Sequence, residues 1–597
     1  MNDEFEKDER KMSNKELIKK LFKYFKPYAH YFAIALILVG LAVGLELLIP
    51  YMMKEGTTKL IGEVNFNEML RFSGLLFLVL VLVYTIQFIE AMILQHAGQK
   101  IIYNVRSEIF EHIENLSIHQ INQTPVGKLT TRVTNNTNEL NELFTNVLIN
   151  LIRSIITLIG VIIFMFFTDV HLSLYMLIIM PVVLIATLIF DLYARKAHRI
   201  VRTKATILNA YLTENISGVS VTQMFNAEEK VVKGFKKRND ELKKADTKQI
   251  FLYAVYRPTI YVCYIITLIL VFYFGGKNAI QGALNGDLAG IGVITAFYLY
   301  IDKFFGPLQD LAEQLNTIQS AFSSCEKIFT ILDMKSEIQD VENPIELEEV
   351  RGEIEFKNVW FQYEEDNWIL KDLSFHIMPN EVVAFVGATG SGKTTILQLI
   401  VRNYDIQRGQ ILIDGIDIKQ ISLKSLRSKF GQMLQDVFLF SGNIIDNITM
   451  HDETISIGEV KQACEYVGAN TFIEKLENQY NEEVRERGNN FSSGQRQLLS
   501  FARTIVHKPS IIILDEATAN IDTETEVLIQ HSLEKMMTIG TTLMVAHRLS
   551  TIQHANKIIV LSKGVIIEEG THQELLHNKG HYYVLYKLQY EKNIKRD

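Results

Sequence analysis

Six apolar stretches of about twenty residues each, all within the first 305 positions, restrict this chain more than any other feature. They cover residues 31–53, 69–94, 147–167, 170–193, 253–274 and 288–305. A helix of about 20 apolar residues crosses roughly 30 Å of hydrocarbon. Backbone groups in lipid must bond within their own segment, so each stretch is expected to be a membrane-spanning helix. Arg10, Lys11, Lys15, Lys19, Lys20, Lys23 and Lys26 precede the first stretch, and Arg195, Lys196, Arg199, Arg202 and Lys204 follow the fourth. The turns between stretches three and four and between five and six hold almost no Lys or Arg. That asymmetry puts both termini in the cytoplasm.

The two links on the basic side, 95–146 and 194–252, are long and polar, yet keep helical apolar spacing, as in Ile102, Val105, Ile109, Ile113 and Leu116. They read as membrane helices prolonged into the cytoplasm, turning back near 117–125 and near 210–218. Glu46, Glu90, Arg153 and Asp302 lie inside the apolar stretches. Each costs about 2.5–3.5 kcal/mol at mid-bilayer, so each is expected to face a cavity or a partner helix. Glu46 and Asp302 are candidates to meet a cationic substrate; the plainer reading is pairing with neighbouring helices or a place near the interface.

The organisation expected is a cytoplasmic segment at 1–30, a six-helix membrane domain at 31–330, a polar linker at 331–350 and a soluble α/β domain at 351–597. The net charge of −8 gives no reason to expect nucleic acid. Cys263, Cys325 and Cys464 are too scattered for a metal site or disulfide framework. The mixed charges at the N-terminus do not resemble a transit peptide, and the first apolar stretch is too long for a cleavable signal.

In the soluble part, the buried-strand run Val382–Val386 leads into Gly387, Ala388, Thr389, Gly390, Ser391, Gly392, Lys393 and Thr394, followed by Thr395 and helical spacing. This is GxxxxGK[ST] in its strand–loop–helix setting. Glycines let successive N–H groups curl around phosphate, and the helix N-terminus adds its dipole. Lys393 is expected to reach the β- and γ-phosphates and Thr394 to ligate Mg²⁺. A second strand, 511–514, ends in Asp515 and Glu516. Carboxylates at such a strand end face the metal: Asp515 through its water shell, Glu516 as the group polarising the attacking water. A third strand delivers His547. Alone it reads as a structural histidine; beside the other two strands it reads as a γ-phosphate contact.

With these pieces placed, the chain resembles the ATP-binding cassette (ABC) superfamily over nearly its whole length, as a half-transporter of the type IV exporter class. The most specific element is Phe491-Ser492-Ser493-Gly494-Gln495, similar to the signature LSGGQ. The resemblance implies an ABC-type P-loop domain fused to six membrane helices with cytoplasmic extensions. It implies that Tyr363 stacks on adenine, that Gln435 contacts Mg²⁺ and water, that Asp522 communicates across a dimer, and that Glu486-Arg487-Gly488 touches the membrane arms. It further implies that Ser492, Gly494 and Gln495 serve the nucleotide held by a second half-transporter's P-loop. Phe491 and Ser493 depart from the pattern while Glu516 and His547 are present, which favours a heterodimer over a homodimer.

The expected activity is ATP-driven export of amphipathic small molecules across a bacterial plasma membrane, with lipid or lipopeptide flipping as the alternative. Self-processing peptide export is disfavoured, because no cysteine precedes the first helix. An ATP-dependent sensor is disfavoured by the presence of Glu516 and His547, and a soluble ABC protein acting on ribosomes or DNA by the six apolar stretches.

Overall fold

The computed structural model describes residues 12–62, 66–284, 289–433, 437–515, 523–545 and 552–594. Contacts divide the chain into two units. One holds the residues up to Glu114 together with Pro125–Met334; the other joins Asn115–Thr124 to the residues from Lys335 onward.

The first unit is helical. A short helix, Asn14–Phe25, buries Leu17, Leu21 and Tyr24, and Ser13 caps its start. The membrane helices are Ala29–Gly62, Phe66–Glu114, Leu148–Thr168, Val170–Ser217, Glu228–Leu284 and Ala289–Leu332. Six helices among the described residues are long and apolar enough to cross a membrane. At 1.5 Å per residue, the 57-residue helix Glu228–Leu284 is about 85 Å long. A bilayer core absorbs only about 30 Å of that, so much of the helix runs beyond the lipid.

Large apolar side chains cover the outside of these helices. Phe77, Leu78, Tyr84 and Phe88 are all more than half exposed on the second, as lipid contact requires. Pro50, Pro181, Pro258 and Pro307 sit inside helices, a pattern tolerated where neighbouring helices re-satisfy the freed backbone groups. Two π-helical turns, Arg132–Asn136 and Leu143–Val147, precede the third membrane helix. They bury Arg132, which donates to the Lys327 carbonyl at 2.7 Å. The second long turn between membrane helices falls later than its expected position at 210–218. Helix continues through Ser217, a short helix covers Val219–Met224, and the chain reverses around Asn226, which takes φ 50°. Residues 210–216 contain no glycine or proline to stop the helix early.

The second unit is α/β. Its main sheet runs β12-β11-β3-β10-β9-β6, with β3 Val382–Val386, β6 Phe430–Met433, β9 Ile511–Asp515, β10 Thr541–Val545, β11 Lys557–Ser562 and β12 Val565–Gly570. β3, β10, β9 and β6 are parallel. β3, and β9 and β10 through Leu514 and Val545, are buried throughout, the continuous apolar run of a strand covered on both faces. A second, antiparallel sheet, β2-β1-β4-β5, contains β1 Ile354–Gln362, β2 Trp368–Ile377, β4 Arg408–Ile413 and β5 Ile416–Asp417, and β7 Gly442–Asn443 pairs with β8 Glu483–Val484. Phe356 and Phe375 stack across β1 and β2 at 4.3 Å.

Candidate functional site

The ends of β3, β9 and β10 lie side by side: Val545 is in register with Phe385 on one flank and with Asp515 on the other. Ligands of open parallel sheets bind outside these carboxyl ends. From the end of β3 the loop 387–392 turns sharply into the helix Lys393–Ile400. Gly387 has φ 155° and Gly392 φ 103°. A Cβ on Gly387 would strike the Leu561 carbonyl and come within 2.7 Å of Ser391 Oγ, and one on Gly392 would come within 2.6 Å of Leu370. Both positions therefore require glycine.

Lys393 is buried and donates to the carbonyl oxygens of Gly387 and Ala388 at 2.8 and 3.0 Å. Burial lowers its pKa from the ordinary lysine value, and the charge of Asp515 opposes that shift. Asp515 thus lies within electrostatic reach of the loop. Ser391 is 3% exposed and its hydroxyl has no hydrogen-bond partner among the described residues. A buried hydroxyl without a partner is costly, and a phosphate oxygen at the loop supplies one. Thr394 is exposed and Thr395 buried. Thr395 accepts a hydrogen bond from the Tyr363 hydroxyl at 3.2 Å. Burial raises the Tyr363 phenol above its ordinary pKa.

The signature residues form a separate cluster. Ser492 caps the 14-residue helix Ser493–Val506: its Oγ accepts from the Gln495 N–H at 3.2 Å, and Gln495 Oε1 accepts from the Ser492 N–H at 2.9 Å. Gly494 is buried in the first turn. Ser492 itself is exposed, at the positive end of the helix. Phe491 is 5% exposed and packs into a core with Phe472. The turn Glu486–Gly488 is tied to the signature by Arg496, which donates to Phe491 O at 2.7 Å and Gly488 O at 3.4 Å.

The structure brings together Gly387, Gly390, Ser391, Gly392, Lys393, Thr394, Thr395, Tyr363 and Asp515. Among the described residues, no hydrogen bond joins Ser492, Gly494 or Gln495 to that group. Gln435, Glu516, Asp522 and His547 lie outside the described residues. Sequence reading passed over Tyr404, whose ring meets Tyr363 at 5.0 Å. An aromatic four residues beyond the P-loop helix was the one available signal.

A phosphate loop on a parallel sheet, in one chain with six bilayer-length helices, defines an ATP-coupled membrane protein. Residues 32–308 match the family described as ABC transporter transmembrane region, and residues 370–519 match the family described as ABC transporter. The chain is 38% identical over 584 residues to the uncharacterized ABC transporter ATP-binding protein YknV of Bacillus subtilis, covering 96% of this chain and 95% of that protein. It is 37% identical to the probable multidrug resistance ABC transporter ATP-binding/permease protein YheH of the same organism, over 84% of this chain and 74% of that one. It is 32% identical to the ATP-dependent lipid A-core flippase of Syntrophus aciditrophicus, over 97% and 95%. Among solved structures, a bacterial Atm1-family ABC exporter with ATP bound superposes with a TM-score of 0.77 at 26% identity, covering 94% of this chain and 99% of that one. The chain belongs to the ABC transporter family, as an ATP-driven exporter half-transporter.

Proposed function

We propose that this half-transporter exports amphipathic cations from the cytoplasm across a bacterial plasma membrane, with both termini cytoplasmic and residues 31–330 and 351–597 as its membrane and nucleotide domains. The observation that carries this reading is a cavity of about 540 Å³ in the membrane unit, lined by Glu46, Glu142, Asp302 and Asp310, with Arg153 and Lys303 as its cations. Arg153 is taken by Glu90, which stands outside the lining, at 2.5 Å. Lys303 lies 3.4 Å from Glu46. Carboxylates therefore remain in excess, in a volume suited to a small molecule. The multidrug name of YheH supports the same reading.

In this reading Lys393 exchanges its loop carbonyls for phosphate oxygens. Thr394, Asp515 and Gln435 supply the oxygen donors for Mg²⁺, which neutralises charge on the phosphates. Asp515 acts electrostatically on Lys393, the residue just before Thr394, and a carboxylate with a hydroxyl suits a hard cation that retains several waters. Glu516 polarises the attacking water, His547 contacts the γ-phosphate, and Asp522 speaks to the second subunit. Ser492, Gly494 and Gln495 point their helix N-terminus at the partner's nucleotide. Because Phe491 is a core residue, Ser493 is the signature departure left to support a heterodimer.

The test is export of a lipophilic cationic dye from proteoliposomes holding this chain and the half-transporter that co-purifies with it. Glu46→Gln and Asp302→Asn should each slow export several-fold while basal ATP turnover persists; unchanged export in both would refute the assignment. The resemblance to the lipid A-core flippase favours a second reading, lipid flipping. Flipping of labelled phospholipid, with no dye export, would select it.

A further inference from the structure

We propose that Tyr404 and His119 are positioning residues for the base-stacking ring of Tyr363, and that through them the first cytoplasmic tip of this chain senses whether the base subsite is filled. The inference rests on the reading of Tyr363 as the adenine stacker.

Three contacts hold the Tyr363 side chain. Its ring meets Phe361 at 4.8 Å and 86°, and Tyr404 at 5.0 Å and 83°, while its hydroxyl donates to Thr395 at 3.2 Å. Two near-perpendicular neighbours set the plane of a ring, and a base stacking on it must match that plane. Phe361 belongs to β1 and is 2% exposed; Thr395 belongs to the P-loop helix. Both are parts of the rigid domain. Tyr404 meets Phe361 as well, at 5.8 Å and 63°, but it also meets the His119 imidazole at 5.7 Å.

His119 sits on the short helix Ile118–Gln123, whose start is closed by a capping box of Ser117 and Gln120. That helix is clamped to the segment following Met334. His119 Nδ1 lies 2.9 Å from Glu337 Oε2, and Gln120 Nε2 donates to Lys335 O at 2.9 Å. In sequence it is continuous with the membrane helix Phe66–Glu114 before it and with Val126–Thr131 after it.

The backbone under Tyr404 is fixed from the other direction. Arg402, 3% exposed, donates to Asp405 at 3.0 Å and to the Gln339 carbonyl at 3.1 Å. The Tyr404 ring thus stands on a rigid turn between a ring that reads the nucleotide and a ring carried by the membrane arm. A cavity of about 250 Å³, lined by His119, Glu337, Tyr363, Tyr404, Asp405 and Gln407 among others, leaves room for the rings to shift. Withdrawal of His119 removes one of the rings that hold Tyr404, leaving Phe361, and so loosens Tyr363; a base stacked on Tyr363 restrains the series in the opposite sense.

The experiment measures ATP KM, kcat and unfolding temperature for the full-length chain with its co-purifying half-transporter in lipid nanodiscs. The variants are Tyr363→Ala, Tyr404→Ala, Tyr404→Phe, His119→Ala and His119→Phe. An aromatic pair is worth enough that Tyr404→Ala should raise KM about three- to tenfold, with kcat held within about twofold. Tyr404→Phe should match the parent, since the ring and not the hydroxyl makes the contacts. His119→Ala should raise KM by a smaller factor, His119→Phe should restore it, and neither His119→Ala nor Tyr404→Ala should add to Tyr363→Ala. If Tyr363→Ala raises KM while Tyr404→Ala and His119→Ala do not, the positioning role is wrong and the stacking assignment survives. The positioning role is equally wrong if those two variants lower only kcat and the unfolding temperature. If Tyr363→Ala leaves KM unchanged, the stacking assignment fails and this inference with it.

Discussion

Arg153 in the third membrane helix donates to Glu90 in the second at 2.5 Å, and the Glu90 side chain is only 3% exposed. This pair accounts for two of the ionisable residues in the apolar stretches, Glu90 and Arg153. Removing one partner of a buried pair strands the other charge, whereas replacing both with apolar groups of similar volume is often neutral. Arg153 is partly open, at 28% of its side chain. Glu90→Ala should therefore destabilise the membrane unit by about 2–3 kcal/mol, below the full penalty of a sealed pair. The double variant Glu90→Leu with Arg153→Met should recover most of that loss. Thermal unfolding in detergent decides: a double variant as unstable as Glu90→Ala would mean that the charge itself is not the cause.

Nucleotide binding and hydrolysis should separate cleanly. Lys393→Ala removes a charge-assisted donor at the phosphate loop and should weaken ATP binding about 10- to 100-fold, the range of a hydrogen bond to a charged group. Glu516→Gln should keep ATP affinity and lower turnover by about 10²- to 10⁴-fold, the span of a general base. Equilibrium binding of labelled ATP, set beside phosphate release, checks both. Normal turnover in Glu516→Gln would overturn the assignment of the base.

The phenylalanine opening the signature should behave as a core residue rather than as a catalytic one. Phe491 is 5% exposed within a hydrophobic cluster. Phe491→Leu should cost less than about 1.5 kcal/mol and leave ATP turnover intact. Phe491→Ala should cost about 3–5 kcal/mol. Unfolding curves and ATPase rates of the two variants are the measurement; a large turnover loss in Phe491→Leu at normal stability would assign the ring a role at the nucleotide.

Burial pushes the thiols of Cys325 and Cys464 up to about 12. The thiolate is the reactive form, so both should resist iodoacetamide in the native protein near pH 8 and react only on unfolding. The folded state holds these thiols neutral. Their contribution to stability is therefore complete below about pH 8.5, the usual free-thiol value, and declines as pH rises toward 12. Alkylation time courses read by mass spectrometry test this; labelling of either cysteine at the rate of a free thiol would reveal local opening.

The ionisable residues show where sequence reading stopped. Glu46, Glu90, Arg153 and Asp302 are conspicuous by their cost in lipid, but which groups pair with which is not. Glu46 is held by Lys303 and by a hydrogen bond from Gln87, which lie 257 and 41 residues away in the chain with no spacing that marks them as its partners. The second long turn is expected at 210–218 and comes later, around Asn226, because no glycine or proline stops the helix before Gly218.

What the sequence determined by itself is local in origin. A bilayer demands about twenty apolar residues in a row, and a phosphate loop demands its glycines, lysine and threonine in consecutive places, so the six spans, the P-loop and the strand ending at Asp515 are written contiguously. What only the tertiary structure decided is contact between distant positions. The pairing of Arg153 with Glu90, the acid-lined cavity, the burial of Phe491 and the run of rings from His119 through Tyr404 to Tyr363 are examples. These depend on which faces meet when helices and sheets pack, and a side chain's neighbours across that packing leave no mark on the residues beside it in the chain.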